Sequence, residues 1–253
     1  MKKLFVLAAM LLLLISACGI TNYENDKAYA IESAEELFEE IEIAEEFVEE
    51  VEEDGVEEVL YIAPEPIFTK EPLPDHIIDL ITGVSFHENT PFDYDALTYL
   101  TITYADFDDQ SRVGHMIVAA EIGDEVLDIF RDIYAARFPI YQMRLIDYFG
   151  ADDTASMDAN NSHAFNFRYI AGTDVISRHG FGMAIDINPI QNPYLRGSNI
   201  QPAAGKPYLD RENVRPGMIV PGDLVHTAFI SRGWIWGGDW TTLLDFHHFE
   251  KPH

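Results

Sequence analysis

Acidic residues are concentrated near the N-terminus of this chain, which limits where a hydrophobic core can form. The stretch from Ala28 to Thr69 contains 16 Asp and Glu residues and no Lys or Arg. Most of the aromatic residues (16 Phe, 12 Tyr and 3 Trp) instead lie beyond residue 60. Because a core is built from large apolar side chains, we expect the folded domain in the later part of the chain.

Within the acidic stretch, an apolar residue recurs every three or four positions between Ala34 and Val51. This spacing fits an amphipathic helix that pairs with a partner, and it also fits a solvated, partly helical spacer. We prefer the spacer, because Glu side chains on adjacent helical turns repel each other. Four prolines between residues 64 and 74 then indicate a stiff linker. We therefore predict an acidic spacer and linker over residues 18–74 and a folded domain over residues 75–253.

The charge of the chain argues against nucleic acid as a partner. The formal net charge is -28, and half of it falls between Glu71 and His253. Binding to phosphates needs clustered Lys and Arg, and the sequence contains no basic stripe. The single cysteine, Cys18, excludes an internal disulfide framework.

The first residues have the order of a secretory signal: Lys2 and Lys3, an apolar run from Leu4 to Ile15, and two small residues before Cys18. The run is shorter than the ~20 residues that cross a bilayer. Ile15-Ser-Ala-Cys18 resembles the lipobox of bacterial lipoproteins, in which the Cys becomes the first mature residue and carries lipid. The resemblance implies a signal peptide over residues 1–17, lipidation of Cys18 and an extracytoplasmic protein anchored to the bacterial cell membrane.

Residue patterns beyond the linker predict both strands and helices. Residues 97–104 and 116–120 are rich in β-branched and aromatic side chains, which favours two strands. A helical apolar period covers residues 122–138, and a further short helix is expected at 141–149. Residues 183–187 read as another strand. This order of elements predicts an α+β fold with a small antiparallel sheet.

The segment Ser177-Arg-His-Gly-Phe-Gly-Met-Ala-Ile-Asp186 contains the first candidate site residues. Alternation in the predicted strand places Asp186 on the face opposite Ile185 and Ile187. A carboxylate in so apolar a strand is costly unless it is paired or binds a metal. His179 lies seven residues earlier, and the intervening glycines permit a bend that brings the two side chains together.

A second cluster, Asp245-Phe-His247-His248-Phe-Glu250, lies near the C-terminus. One His from this cluster, together with His179 and Asp186, gives two imidazoles and one carboxylate. Three protein ligands with an open position for water are the pattern of catalytic zinc. Zinc lowers the pKa of its water towards ~7, and a nearby carboxylate can then accept the proton.

Ser-x-His-x-x-Gly-x-Ala-x-Asp, followed by Asp-x-x-His-Phe-Glu, resembles the family of zinc D-alanyl-D-alanine carboxypeptidases and L-alanyl-D-glutamate endopeptidases. The hedgehog signalling domain shares the fold of that family, with a small antiparallel sheet flanked by helices. The resemblance implies that His179, Asp186 and His248 bind zinc (Zn2+) and that Asp245 is the general base. His247 matches no ligand position of the family.

Residues upstream of the zinc motif, among them Phe165-Asn-Phe-Arg168, resemble the carboxypeptidase branch of this family. The resemblance implies that Arg168 and Ser177 bind the substrate. A guanidinium at this place can grip a peptide carboxylate or stabilise an oxyanion, although a structural ion pair is an open alternative for Arg168. The chain departs from the family at His163, where a small residue is more usual.

The function implied by the resemblance is hydrolysis of peptidoglycan stem peptides, with D-alanyl-D-alanine carboxypeptidase preferred. L-alanyl-D-glutamate endopeptidase activity is the alternative within the same class. A zinc-containing cell-wall-binding module without catalysis is the alternative of another class, and retention of Asp245 argues against it. A solute-binding lipoprotein would fit the anchor but would leave the candidate zinc ligands unexplained.

The lipobox resemblance yields a direct prediction about Cys18. Replacing Cys18 by Ser should abolish lipid attachment and move the protein out of the detergent phase of an extracted culture, because acyl chains need the thiol. Partition of the variant and the wild type is compared by immunoblot. Equal partition of both into the detergent phase would show that Cys18 is not the anchor.

Overall fold

The longest strands among the described residues form a sheet of three antiparallel strands. The structure, a computed structural model, describes residues 65–170 and 172–252. Strands β1 (Phe68–Glu71), β2 (Leu97–Ala105) and β3 (Ser111–Ala119) lie in the order β1-β2-β3. β2 and β3 form a hairpin in which Leu97 is opposite Ala119. The two strands predicted from residue composition are thus confirmed, and β3 begins earlier than predicted.

Both faces of this sheet are covered by a helix. Because side chains alternate along a strand, Leu100 and Ile102 pack with helix α2 (Gly123–Ala135) in the main core. Leu97 faces the opposite side and belongs to a second apolar cluster that includes buried residues of helix α1 (Asp75–Ile81). This double covering explains why β2 is buried along almost its whole length.

The Pro-rich segment contains more than a linker, since Phe68–Glu71 forms strand β1 and pairs with β2. The Phe68 ring packs edge-on against Tyr134 of α2, with ring centroids 5.9 Å apart. The compact unit accordingly extends from Glu65 to His253. The predicted signal peptide, Cys18 and the acidic spacer up to residue 64 lie outside the described residues.

The helix predicted over residues 122–138 is confirmed as α2, and the chain leaves it before Arg137, whose φ is 56°. The helix predicted over residues 141–149 is wrong. Strand β4 (Gln142–Met143) occupies its first half and a short 3-10 helix the second. Asn161 explains the extended backbone, because its side-chain amide accepts from the N–H of Arg144 and donates to the Arg144 carbonyl, both at 3.0 Å.

Short strands and helices make up the rest of the described chain. β4 pairs in parallel with β5 (Asn161–Ser162). Two further three-stranded antiparallel sheets have the orders β6-β11-β9 and β10-β7-β8. Their strands are β6 (Ala184–Asp186), β7 (Tyr194–Arg196), β8 (Asn199–Gln201), β9 (Ile235–Trp236), β10 (Leu244–Asp245) and β11 (His248–Glu250). The remaining α-helices are α3 (Asp153–Asp158) and α4 (Leu224–Ile230).

Short 3-10 helices join several of these elements. They lie at Tyr94–Ala96, Ala120–Ile122, Ile146–Phe149, Arg178–Phe181, Ala203–Tyr208 and Gly237–Asp239. The described residues therefore mix helices with small antiparallel sheets, in agreement with the predicted α+β class. Within residues 65–170 and 172–252, no helix has the length and apolar character needed to cross a membrane.

Strand β1 gives a testable prediction about the start of the folded unit. A chain beginning at Asp75 should melt about 5–10 °C below one beginning at Glu65, since removing Phe68 and the β1 pairing costs on the order of 2–3 kcal/mol. Thermal unfolding followed by circular dichroism measures the difference. Equal melting temperatures would mean that β1 does not stabilise the sheet.

Candidate metal centre

Strand β6 places Asp186 in the middle of a row of three side chains. On one side Asp186 lies opposite His248 of β11. On the other side its backbone exchanges two hydrogen bonds with His163, at 2.9 and 3.1 Å. Residues directly opposite each other in antiparallel strands point to the same face. His163, Asp186 and His248 therefore share one face, whereas Ile185 and Ile187 lie in the main core, as alternation predicts.

A turn of 3-10 helix at Arg178–Phe181 brings His179 to this row. The Ser177 hydroxyl caps the turn by accepting a hydrogen bond from the backbone N–H of His179 at 3.3 Å. Gly182 ends the turn with a φ of 65°, and a Cβ at this position would lie 2.6 Å from the backbone nitrogen of Ala119. Glycine alone satisfies both the conformation and the close approach.

The donor atoms of the three predicted ligands meet in one small triangle. His179 Nε2 lies 3.2 Å from Asp186 Oδ1 and 3.1 Å from His248 Nδ1, and His248 Nδ1 lies 3.0 Å from Asp186 Oδ1. Tetrahedral zinc with bonds of 2.0–2.1 Å separates its ligand atoms by ~3.3–3.4 Å. All three side chains are buried. The donor types, their spacing and their burial fit a divalent metal ion.

The outer nitrogen of each of these imidazoles has its own partner. His179 Nδ1 donates to the carbonyl oxygen of Ala164 at 2.5 Å. His248 Nε2 donates to Glu250 Oε2 at 3.1 Å. Partners of this kind fix the ring orientation and the tautomer, so that the other nitrogen presents its lone pair to a metal. His179 Nε2 and His248 Nδ1 are therefore the atoms that would face a metal ion.

Charge in the centre is balanced around Asp186. Burial by itself would raise the pKa of Asp186, but the imidazoles of His179 and His247 hold it well below its usual range. Burial would lower the pKa of His248, whereas hydrogen bonds to Asp186 and Glu250 raise it to about 10. Without a metal, His248 is thus a cation held between two carboxylates. A bound metal ion takes over the positive charge of that proton.

Asp245, the predicted base, is held beside the centre by His247. His247 Nε2 lies 2.9 Å from Asp245 Oδ1 and 3.9 Å from Asp186 Oδ2. Its other ring nitrogen, Nδ1, donates to the carbonyl of Asn192 at 2.7 Å. Burial would lower the pKa of His247, but Asp245 and Asp186 raise it to about 9. A cationic, doubly anchored imidazole therefore orients Asp245, a role that the motif comparison did not assign to His247.

Arg168 and Ser177 have structural partners. Arg168 Nε forms an ion pair with Asp153 Oδ2 at 2.5 Å, and Asp153 Oδ1 accepts from the Asn166 amide at 3.0 Å. Arg168 therefore forms the structural ion pair that was the alternative to substrate binding. About a third of its side chain is still exposed. The Ser177 hydroxyl caps the turn that carries His179. Substrate binding by Arg168 and Ser177 stays a prediction.

His163 is the residue that sequence reasoning left without a role. One ring nitrogen of His163, one of His179 and a carboxylate oxygen of Asp186 lie within 4.8 Å of one another, a grouping suited to a metal ion. The His163 and His179 rings are stacked, with centroids 5.2 Å apart. Burial lowers the pKa of His163 to about 4, so the ring is neutral near pH 7. The sequence signal that could have identified His163 is a histidine at a position where the family usually has a small residue.

The positions of His179 and His248, and the outer partner of His248, lead to a prediction about zinc binding. His179→Ala or His248→Ala should leave the purified protein without stoichiometric zinc, and Glu250→Ala should weaken zinc binding about 10–100-fold, because His248 loses its outer acceptor. Elemental analysis and chelator competition measure the two effects. Asp239→Ala, which removes an exposed carboxylate in a neighbouring turn, is the matched control. Full zinc content in both His variants would contradict the ligand assignment.

A family model described as D-alanyl-D-alanine carboxypeptidase matches residues 171–251. The matched segment contains His179, Asp186, Asp245 and His248. Neither the curated proteins nor the solved structures contain a significant match to the chain. The match to the family model confirms the resemblance recognised from the motifs, and residues 171–251 are similar to the D-alanyl-D-alanine carboxypeptidase family.

Proposed function

We propose that this protein is a zinc metallopeptidase that hydrolyses peptidoglycan stem peptides, most specifically as a D-alanyl-D-alanine carboxypeptidase. The observation that carries the proposal is the triangle of His179 Nε2, Asp186 Oδ1 and His248 Nδ1, whose sides measure 3.0–3.2 Å. The family match over residues 171–251 supports the reaction class. The hedgehog-like fold of the family is part of the same proposal.

The donor set favours zinc among the common metals. Two imidazole nitrogens and one carboxylate oxygen suit zinc better than calcium or magnesium, which prefer oxygen ligands throughout. A bound zinc ion polarises the scissile carbonyl and lowers the pKa of water. With three of these side chains as ligands, a further position is left for water or substrate.

Asp245 transfers the proton during hydrolysis. Asp245 accepts a proton from the attacking water and returns it to the nitrogen of the departing amino acid, which is the ordinary cycle of a general base and acid. His247 holds Asp245 Oδ1 at 2.9 Å, which limits the rotation of the carboxylate. Since His247 also lies 3.9 Å from Asp186, one imidazole separates the base from the metal ligands.

Arg168 is assigned to the substrate carboxylate. A carboxypeptidase must recognise a free C-terminal carboxylate, and a guanidinium binds such a group bidentately. Asp153 holds Arg168 through Nε. The Arg168 carbonyl accepts a hydrogen bond from the backbone N–H of Ser177 at 2.9 Å, next to the turn that carries His179. Ser177 contributes to the substrate pocket mainly by fixing the turn that carries His179.

Two other functions are compatible with parts of this site. An L-alanyl-D-glutamate endopeptidase would use the same metal and base but would not require the terminal carboxylate. A cell-wall-binding module without catalysis would need the metal but not Asp245. The pairing of Asp245 with the buried His247 favours an enzyme over such a module. We further propose that a signal peptide over residues 1–17 and lipid on Cys18 hold the domain outside the cytoplasmic membrane.

The base assignment is tested with Asp245→Asn, which should retain zinc and fold while losing about 10²–10⁴-fold in kcat, because Asn cannot accept the proton. Wild-type protein should release free D-alanine from a stem pentapeptide that ends in D-Ala-D-Ala. Mass spectrometry of the products and elemental analysis of both proteins are the measurements.

Other products have distinct meanings. Cleavage between L-Ala and D-Glu, which frees a fragment beginning with D-Glu, would transfer the assignment to the endopeptidase. No cleavage of either bond by zinc-loaded wild type would refute the enzymatic proposal. Asp239→Asn, which changes a nearby exposed carboxylate in the same way, should turn over at the wild-type rate.

A further inference from the structure

We propose that His163 is an additional protein ligand of the metal, so that the centre contains three imidazoles and one carboxylate. The proposal rests on the proposed function for the existence of the metal and adds a ligand to it. It starts from the His163 ring, which is buried and has no hydrogen-bond partner at either Nδ1 or Nε2.

A buried imidazole without hydrogen-bond partners destabilises the folded state unless another group binds it. A neutral ring has one donor and one acceptor, and each buried polar atom without a partner costs on the order of 1–3 kcal/mol. The two predicted ligand histidines both have a partner at the outer nitrogen. A metal ion satisfies the acceptor nitrogen of His163, which is the nitrogen that a metal ligand uses.

The backbone directs His163 into the centre. Its N–H and C=O are both bonded to Asp186, so the two residues form a directly opposed pair with side chains on one face. The next residue, Ala164, points into the main core. The preceding residue, Ser162, points away from the His163 face and accepts the N–H of Asn188 at 3.1 Å. The backbone pairing therefore directs the Cα–Cβ bond of His163 towards the face that carries Asp186.

The distances are within reach of coordination. A nitrogen of His163 lies within 4.8 Å of donor atoms of both His179 and Asp186. Zinc ligand atoms lie ~3.3–3.4 Å apart, so at most ~1.5 Å must be closed between His163 and these two residues. The terminal torsion of a His side chain is broad, and a small rotation supplies this movement. A catalytic zinc site can expand to five ligands in the transition state, so a fourth protein ligand is compatible with substrate binding.

The ligand count is tested on the full-length protein loaded with zinc, by X-ray absorption at the zinc edge. Wild type should contain three imidazoles per zinc and His163→Ser should contain two. The zinc affinity of His163→Ser should fall more than about 100-fold, beyond the range of an outer partner. The d–d absorption bands of the cobalt-substituted proteins should differ between wild type and His163→Ser. His115→Ser, a change of a half-buried histidine stacked on Tyr99, is the matched control and should keep the wild-type values.

Each outcome has one meaning. Two imidazoles in wild type, with cobalt bands unchanged in His163→Ser, would overturn the proposal and leave the zinc peptidase intact, because His179 and His248 supply those two. Wild type that binds no zinc would overturn both proposals. The wild-type count is independent of the fold of any variant, so poor folding of His163→Ser does not decide the result.

Discussion

The carboxylate of Asp186 is the charge around which the candidate site is arranged. It lies on a strand whose flanking residues, Ile185 and Ile187, are fully buried, so its charge must be balanced locally. His179 and His248 contact one oxygen, and His247 approaches the other. Replacing this carboxylate by an apolar group would remove the anion that His179, His247 and His248 share.

The large sheet supports this centre through a few backbone contacts. The N–H of Ala119, at the end of β3, donates to the carbonyl of Gly182 at 2.9 Å. The carbonyl of Ala164 orients His179, and the backbone N–H of Phe165 bonds to Ile117 of β3. These hydrogen bonds therefore fix the position of the turn that carries His179 relative to the helix-covered sheet. A change in the packing of β3 would be transmitted to His179.

The C-terminal segment places four functional groups close together by strand alternation. His248 and Glu250 are two residues apart on β11, so they share a face, and Glu250 lies beside the ring it orients. Asp245 and His247 are also two residues apart and contact each other at 2.9 Å. The proposed base, its partner, a proposed metal ligand and the partner of that ligand thus come from six consecutive residues. Because these residues lie so close together in sequence, the second motif alone identified much of the candidate site.

The sequence by itself determined the features that depend on local pattern. Periodicity over a few residues predicts the hairpin strands, helix α2 and the alternation around Asp186. Backbone preference explains the glycine at position 182. The two motifs also brought forward His179, Asp186, Asp245 and His248, which the structure places together. The extended backbone at residues 142–143 was missed, because a distant side chain, Asn161, holds it.

Tertiary structure decided the features that depend on groups far apart in sequence. Strand β1 forms because β2, some 30 residues later, offers an edge and α2 offers Tyr134 to Phe68. His247 became the partner of Asp245 because Asn192 fixes its other nitrogen. His163 faces the metal centre because its backbone pairs with Asp186, 23 positions away. A local pattern specifies which way a side chain points, but only the folded chain specifies which other groups it meets.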